Sequence, residues 1–95
     1  PDFPGGLRAF MKWLDDHIVY PTNCINNKKQ GSITLTFIIG PDGRATDLDV
    51  KNAFDPEIFR TAMNALKSMP KWKPGTDEQG NPTNVRITIP VDFKI

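Results

Sequence analysis

The last segment of the chain, Val85 to Ile95, has the clearest periodic pattern in the sequence. Each odd position is apolar, and the even positions are polar or charged except for Pro90. Alternation with a period of two is typical of a β-strand that buries one face and exposes the other. The rest of the chain must therefore supply strands that pair with this segment and a layer that covers its apolar face.

Two further strands are predicted in the middle of the chain. Ser32 to Ile39 places four large apolar residues on one face and hydroxyl side chains on the other, and in Arg44 to Asn52 apolar residues alternate with charged ones. Between them, Gly40-Pro41-Asp42-Gly43 combines residues that favour tight turns. We expect the two strands to form a hairpin.

Two amphipathic helices are predicted, one on each side of this hairpin. The first carries its apolar residues at helical spacing and ends at Tyr20-Pro21; these residues are Leu7, Phe10, Met11, Leu14 and Ile18. The second begins with Asp55 as N-cap and Pro56 in its first turn, ends before Pro70, and buries Phe59, Ala62, Met63 and Leu66. The segments Thr22 to Gly31 and Thr76 to Asn84 are predicted to be loops.

These elements predict an α+β fold, a two-layer sandwich of three antiparallel strands with both helices on one face, formed by residues 1–95 as a single domain. Proline cannot donate to a ladder, so Pro90 places the last strand at an edge. The charged second strand suits the other edge. The strand order is therefore expected to be 2-1-3.

Composition and charge exclude several classes of function. Twelve basic and eleven acidic side chains give a net charge of +1, which predicts no nucleic-acid partner. The single Cys24 is expected to be a buried apolar side chain. The run Asp15-Asp16-His17 cannot converge on one ion because neighbouring helix positions point about 100° apart. With one histidine and no nucleophile elbow, the chain is predicted to have no catalytic site, no metal site and no cofactor.

Short motifs along the whole chain resemble one known family. These are "FPGG" before the first helix, "YP" at its end, "QG" before the first strand, "DG" in the hairpin, "DP" opening the second helix, "MPKWKPG" after it and "IPVDFKI" at the end. Together they resemble the C-terminal domain of TonB-type energy transducers, in the version common among Bacteroidetes.

The resemblance implies a periplasmic module cut from a longer parent that is anchored in the inner membrane. Such a module grips the TonB box, an extended segment of an outer-membrane transporter, and passes on work from proton-driven motor proteins that bind the parent's N-terminal helix. An alternative within the same fold is an interaction or sensing domain attached to another membrane protein, such as a sensor peptidase.

The motif Met69 to Gly75 is interpreted as structural. In an extended segment Trp72 points opposite to its two lysine neighbours, so the indole can enter the core while Lys71 and Lys73 stay solvated. We assign structural roles to Pro70, Trp72, Pro74 and Gly75. The alternative is a tryptophan that faces a partner.

The last strand is predicted to be the partner-binding site. If Pro90 points outward, the alternation of backbone groups means that the even positions present their N–H and C=O groups to the free edge. These positions are Arg86, Thr88, Pro90, Asp92 and Lys94. An extended transporter segment would add there as a fourth strand. The alternatives are that the loop Thr76 to Asn84 covers this edge, or that a second copy of the domain covers it in a homodimer.

Overall fold

Three strands form one antiparallel sheet in the order β2-β1-β5, which confirms the predicted order 2-1-3. The computed structural model describes all residues from Pro1 to Ile95. Its elements are α1 (Leu7–His17), α2 (Thr22–Asn26), β1 (Gly31–Ile39), β2 (Ala45–Lys51), α3 (Pro56–Lys67), β3 (Gly75–Thr76), β4 (Pro82–Thr83) and β5 (Val85–Phe93).

The core lies between the sheet and the two long helices. The four apolar odd residues of the central strand β1 (Ile33, Leu35, Phe37 and Ile39) are fully buried, and they pack in one cluster with Phe10 and Leu14 of α1 and with Ile58, Ala62 and Leu66 of α3. Both helices therefore cover the same face of the sheet, as predicted for an α+β sandwich. No helix has the length and hydropathy that crossing a bilayer requires.

Helix α3 begins as predicted but turns a different face to the core. The Asp55 carboxylate accepts a hydrogen bond from the Glu57 backbone N–H at 2.8 Å, and Pro56 occupies the first turn. Phe59, however, is 41% exposed, and Ile58 is buried in its place. The prediction of Phe59 as a core residue was wrong because both Ile58 and Phe59 lie at helical spacing from Ala62 and Leu66.

Helix α1 buries fewer residues than its apolar pattern predicted. Phe10 and Leu14 are in the core, whereas Leu7 is 71% exposed and Met11 is 44% exposed. The following segment, predicted to be a loop, contains the short helix α2 with Cys24 fully buried on it. A helix of five residues is too short to show a periodic pattern, which explains why the sequence did not predict it.

Strand β2 carries a β-bulge that its sequence did not predict. Thr36 lies opposite Asp49 and Ile38 lies opposite Thr46, so three residue steps on β2 match two steps on β1. Asp47 takes up the extra residue with a φ of 52°. Aspartate tolerates this left-handed conformation better than most residues, because its short side chain can make local hydrogen bonds.

The segment Thr76 to Asn84, predicted to be a loop, contains part of a small hairpin. Gly75 pairs with Thr83 and Thr76 pairs with Pro82. The Asp77 carboxylate closes the turn by accepting from the backbone N–H groups of Gln79 and Asn81, each at 2.9 Å. The hairpin pairs with itself and adds no strand to the main sheet.

Candidate functional site

Strand β5 is an edge of the main sheet and pairs with β1 alone. The register runs without interruption from Ile39 opposite Val85 to Gly31 opposite Phe93. No strand lies on its other side, so one row of backbone N–H and C=O groups is left without ladder partners.

The hairpin of β1 and β2 identifies which residues of β5 form this free row. The Gly40 backbone N–H donates to the Arg44 carbonyl oxygen at 2.9 Å, so Gly40 directs its backbone groups toward the β2 side. Backbone groups alternate along a strand, so the odd residues of β1 face β5. Odd residues of β1 lie opposite odd residues of β5. The backbone groups that face outward therefore belong to Arg86, Thr88, Pro90 and Asp92, whose side chains are also exposed.

Pro90 lies in this outward set, opposite Thr34. Its missing N–H costs the ladder with β1 nothing and leaves a gap in the row of donors at the free edge. Lys94 was predicted to belong to the same row, but β5 ends at Phe93. The prediction of a strand to Ile95 was wrong at this end because the Ile95 N–H donates to the Gln30 side chain at 3.1 Å instead of a strand.

The opposite edge of the sheet is a poorer surface for adding a strand. Strand β2 is interrupted by the bulge at Asp47, and α3 packs beside it. A bulge bends an edge and breaks the regular spacing of its backbone groups. The candidate interface is therefore β5.

A groove of about 340 Å³ lies on the inner side of β5, between this strand and α1. Helix α1 contributes Met11, Leu14, Asp15 and Ile18, the following segment contributes Tyr20, and β5 contributes Pro90, Val91, Asp92 and Phe93. The inward residues Ile87, Ile89 and Val91 are only half-buried. The apolar layer of the sheet therefore continues to the free edge and is open there.

The segment after α3 packs against the helix-covered face of the sheet through Trp72. Trp72 is 7% exposed and packs edge-on against Phe3, Phe10 and Phe37 with ring centroids 4.9 to 5.6 Å apart. Lys71 and Lys73 are exposed on either side of it. Its indole Nε1 is buried without a hydrogen-bond partner.

The three other residues of this segment that were predicted to be structural differ in their exposure. Pro70 is exposed and Pro74 is half-buried, whereas Gly75 is buried in β3. A Cβ atom at Gly75 would lie 2.8 Å from the Val85 side chain, so the close approach to the first residue of β5 requires glycine here.

One cluster of ionisable groups lies away from β5, at the start of α3. Lys29 Nζ is 2.7 Å from Asp55 Oδ2, and this hydrogen bond, with that from the Glu57 N–H, lowers the pKa of Asp55. The same hydrogen bond, and the attraction of Asp55, raise the pKa of Lys29. Burial, followed by the negative charge of Asp55, raises the pKa of the Cys24 thiol. No group of three His, Cys, Asp or Glu side chains is arranged to hold a metal ion.

A family model described as Gram-negative bacterial TonB protein C-terminal matches residues 16–95. The chain belongs to the TonB C-terminal domain family. Members of this family are periplasmic interaction modules without enzymatic activity. They act in energy transduction and interact with outer-membrane transporters.

Two solved structures share the fold of this TonB-type domain. Both are solution structures of the Helicobacter pylori TonB C-terminal domain. The first, of residues 179–285, has a TM-score of 0.67 and 23% identity over 97% of this chain and 86% of its own. The second, of residues 194–285, has a TM-score of 0.63 and 24% identity over 92% of this chain and 90% of its own. A comparison with curated protein sequences found no match.

The sequence predicted the edge strand of the TonB-type domain but missed the groove beside it. Leu7 and Met11 were assigned to the core because they fit the apolar stripe of α1. A stripe that covers Leu7, Phe10 and Met11 is wider than the buried contact made by Phe10 and Leu14 alone. The sequence contained no signal of this difference, because apolar residues at i, i+3, i+4 and i+7 are the ordinary pattern of a core-facing helix.

Proposed function

We propose that this TonB-type domain grips the TonB box of an outer-membrane transporter by taking it up as a fourth strand beside β5. The observation that carries the proposal is the unpaired outer row of Arg86, Thr88, Pro90 and Asp92 on a regular strand. An extended segment can pair with such a row through main-chain hydrogen bonds, while its alternating side chains provide selectivity.

The proposal extends to the protein from which the domain comes. We infer a parent that is anchored in the inner membrane and whose N-terminal helix binds proton-driven motor proteins. The grip on the TonB box then transmits the work of the motor to the transporter. Family membership supports this role, since energy transduction is what TonB C-terminal domains serve.

The expected interface is small and reversible. Each net hydrogen bond contributes about 0.5 to 1.5 kcal/mol, and Pro90 removes one donor from the outer row. A single added strand buries little surface compared with a stable protein complex. We expect a dissociation constant of about micromolar size.

The test replaces Thr88 by proline. This removes an outward N–H and leaves the odd-numbered ladder to β1 untouched, so the domain should fold as before. Binding of a synthetic TonB-box peptide, measured by calorimetry, is expected to fall about two- to twelvefold, the equivalent of one net hydrogen bond. The matched control is Thr88→Ala, which removes the side chain but keeps the N–H and should bind nearly as tightly as the wild type.

Two results would contradict the proposal. One is unchanged peptide affinity in a folded Thr88→Pro variant. The other is a stable homodimer, detected by sedimentation, that the same substitution dissociates and that excludes the peptide at every concentration tested. In that case the free edge of β5 serves self-association.

A further inference from the structure

The groove beside β5 has a second wall that the added strand would meet. Leu7, Met11 and Asp15 follow one another at intervals of four residues along α1, and we call them the α1 stripe. Residues at this interval lie on one face of a helix. Met11 and Asp15 line the groove, and Leu7 extends the same face by one turn.

The spacing of the α1 stripe matches that of a strand. Four helical residues rise about 6 Å, and every second residue of a strand is about 6.6 to 6.8 Å apart. Helix α1 runs in the same direction as β5, since Phe10 packs near the start of β5 against Phe37 and Tyr20 packs against Phe93 at its end. Three consecutive inward side chains of an added strand can therefore meet Leu7, Met11 and Asp15 one after another. The first two contacts are apolar, because Leu7 and Met11 are exposed hydrophobic side chains.

The third contact is acidic and lacks a cation. The salt bridges of the chain join Lys12 to Asp16, Lys29 to Asp55 and Arg44 to Asp42, and none of them involves Asp15. The other carboxylate of the groove, Asp92, accepts a hydrogen bond from the Ser32 hydroxyl and likewise has no cationic partner. This end of the groove therefore carries two carboxylates that form no salt bridge.

We propose that the groove selects extended segments with two apolar residues and one lysine or arginine at three consecutive inward positions. The cation would reach the carboxylate of Asp15, and the apolar residues would cover Leu7 and Met11. The partner is thus an alternating strand with a basic residue at one end of its apolar face. This selectivity rests on the strand addition proposed above and assigns to it a chemistry of the bound segment.

The experiment uses two synthetic peptides of alternating valine and threonine that differ in one inward position, which is lysine in one and glutamate in the other. Each is made in both sequence directions, because the strand could add parallel or antiparallel to β5. In the direction that binds more tightly, the wild-type domain is expected to prefer lysine about fivefold, since an exposed attraction replaces a repulsion. The preference should shrink in high salt.

The deciding comparison is between two variants with the same change in net charge. Asp15→Lys is expected to reverse the preference between the peptides. Asp16→Lys should keep most of it, because the neighbouring position points about 100° away from the groove. Equal affinities for the two peptides, or an equal reversal in both variants, would overturn the proposal.

Thr88→Pro separates this proposal from strand addition itself. If both peptides bind the wild type equally and both are weakened by Thr88→Pro, strand addition stands and the selectivity of the groove is wrong. If neither peptide binds the wild type at millimolar concentration while a TonB-box peptide does, the selectivity of the groove is wrong and strand addition stands; if the TonB-box peptide also fails to bind, both proposals fail.

Discussion

The backbone N–H of Trp72 donates to the carbonyl oxygen of Gly43 at 2.8 Å, which fastens the β1–β2 turn to the segment after α3. The approach is so close that a Cβ atom at Gly43 would lie 2.0 Å from the Trp72 carbonyl oxygen. Gly43 also has a φ of 81°, in the left-handed region that favours glycine. The contact between Gly43 and Trp72 therefore connects the β1–β2 turn to the aromatic core.

Replacing Gly43 by alanine is expected to lower the free energy of unfolding by more than about 2 kcal/mol, because it combines backbone strain with a steric clash. The matched control is Gly80→Ala. Gly80 has the same φ of 81° but open space around the added Cβ, so only the strain of about 1 kcal/mol should remain. Urea denaturation of both variants measures the difference. Equal losses would show that the contact with Trp72 adjusts freely.

Substitution of Trp72 by alanine is expected to cost about 3 to 5 kcal/mol, since it empties the centre of the aromatic cluster. A domain of this size has a total stability of about 5 to 15 kcal/mol. Trp72→Phe should cost less than half as much. It keeps an aromatic ring among Phe3, Phe10 and Phe37 and removes a buried N–H that has no partner. Thermal melts of both variants test this, and similar losses would contradict it.

Asp55 is expected to make the stability of the domain depend on acid pH. Its pKa in the folded state lies below its ordinary value of 3.8, chiefly because of the hydrogen bond from Lys29. The stabilisation is therefore fully present above pH 3.8 and is lost as the pH falls through the lowered value.

The variant Asp55→Asn checks this expectation. Asparagine is also a good N-cap residue, so the variant mainly loses the attraction for Lys29. The difference in melting temperature between the wild type and Asp55→Asn should be constant from about pH 7 to pH 5 and should shrink below about pH 4. A difference that persists undiminished at about pH 2.5 would exclude this role for Asp55.

The Cys24 thiol is expected to be unreactive in the folded domain. It is fully buried, and its raised pKa keeps it protonated, whereas the thiolate is the reactive form. At pH 8, a thiol-specific reagent such as dithionitrobenzoate should react only slowly with the native domain. After the domain is unfolded in urea, the reagent should react with one thiol per chain. Reaction of the native domain at the rate of a free thiol would contradict the buried position.

The position of β5 could be predicted because the relevant chemistry is local. The alternation from Val85 and the missing N–H of Pro90 restrict the strand to an edge whatever the rest of the chain does. The bulge in β2 could not be predicted in the same way. It depends on Asp47 adopting a positive φ, which aspartate tolerates but does not require.

The candidate site was predictable in its backbone and not in its side-chain surroundings. The outward row of Arg86, Thr88 and Asp92 follows from alternation alone. The exposure of Leu7 and Met11 depends instead on how α1 packs over the sheet, which is a tertiary arrangement. An apolar helical stripe indicates burial, but it does not distinguish burial in the domain's own core from burial against a partner.

Pro90 also affects how the domain behaves when many copies are concentrated. Long, flat, unpaired edges are where amyloid-like growth begins, because each added strand presents the same edge to the next. A copy that docks through its β2 edge would again present Pro90 of its own β5 to the next copy, where a donor is needed. A single added strand can form hydrogen bonds to β5 both before and after Pro90. An indefinite stack would lose one hydrogen bond at every layer. The proline thus makes repeated edge-to-edge stacking less favourable than the uptake of a single strand.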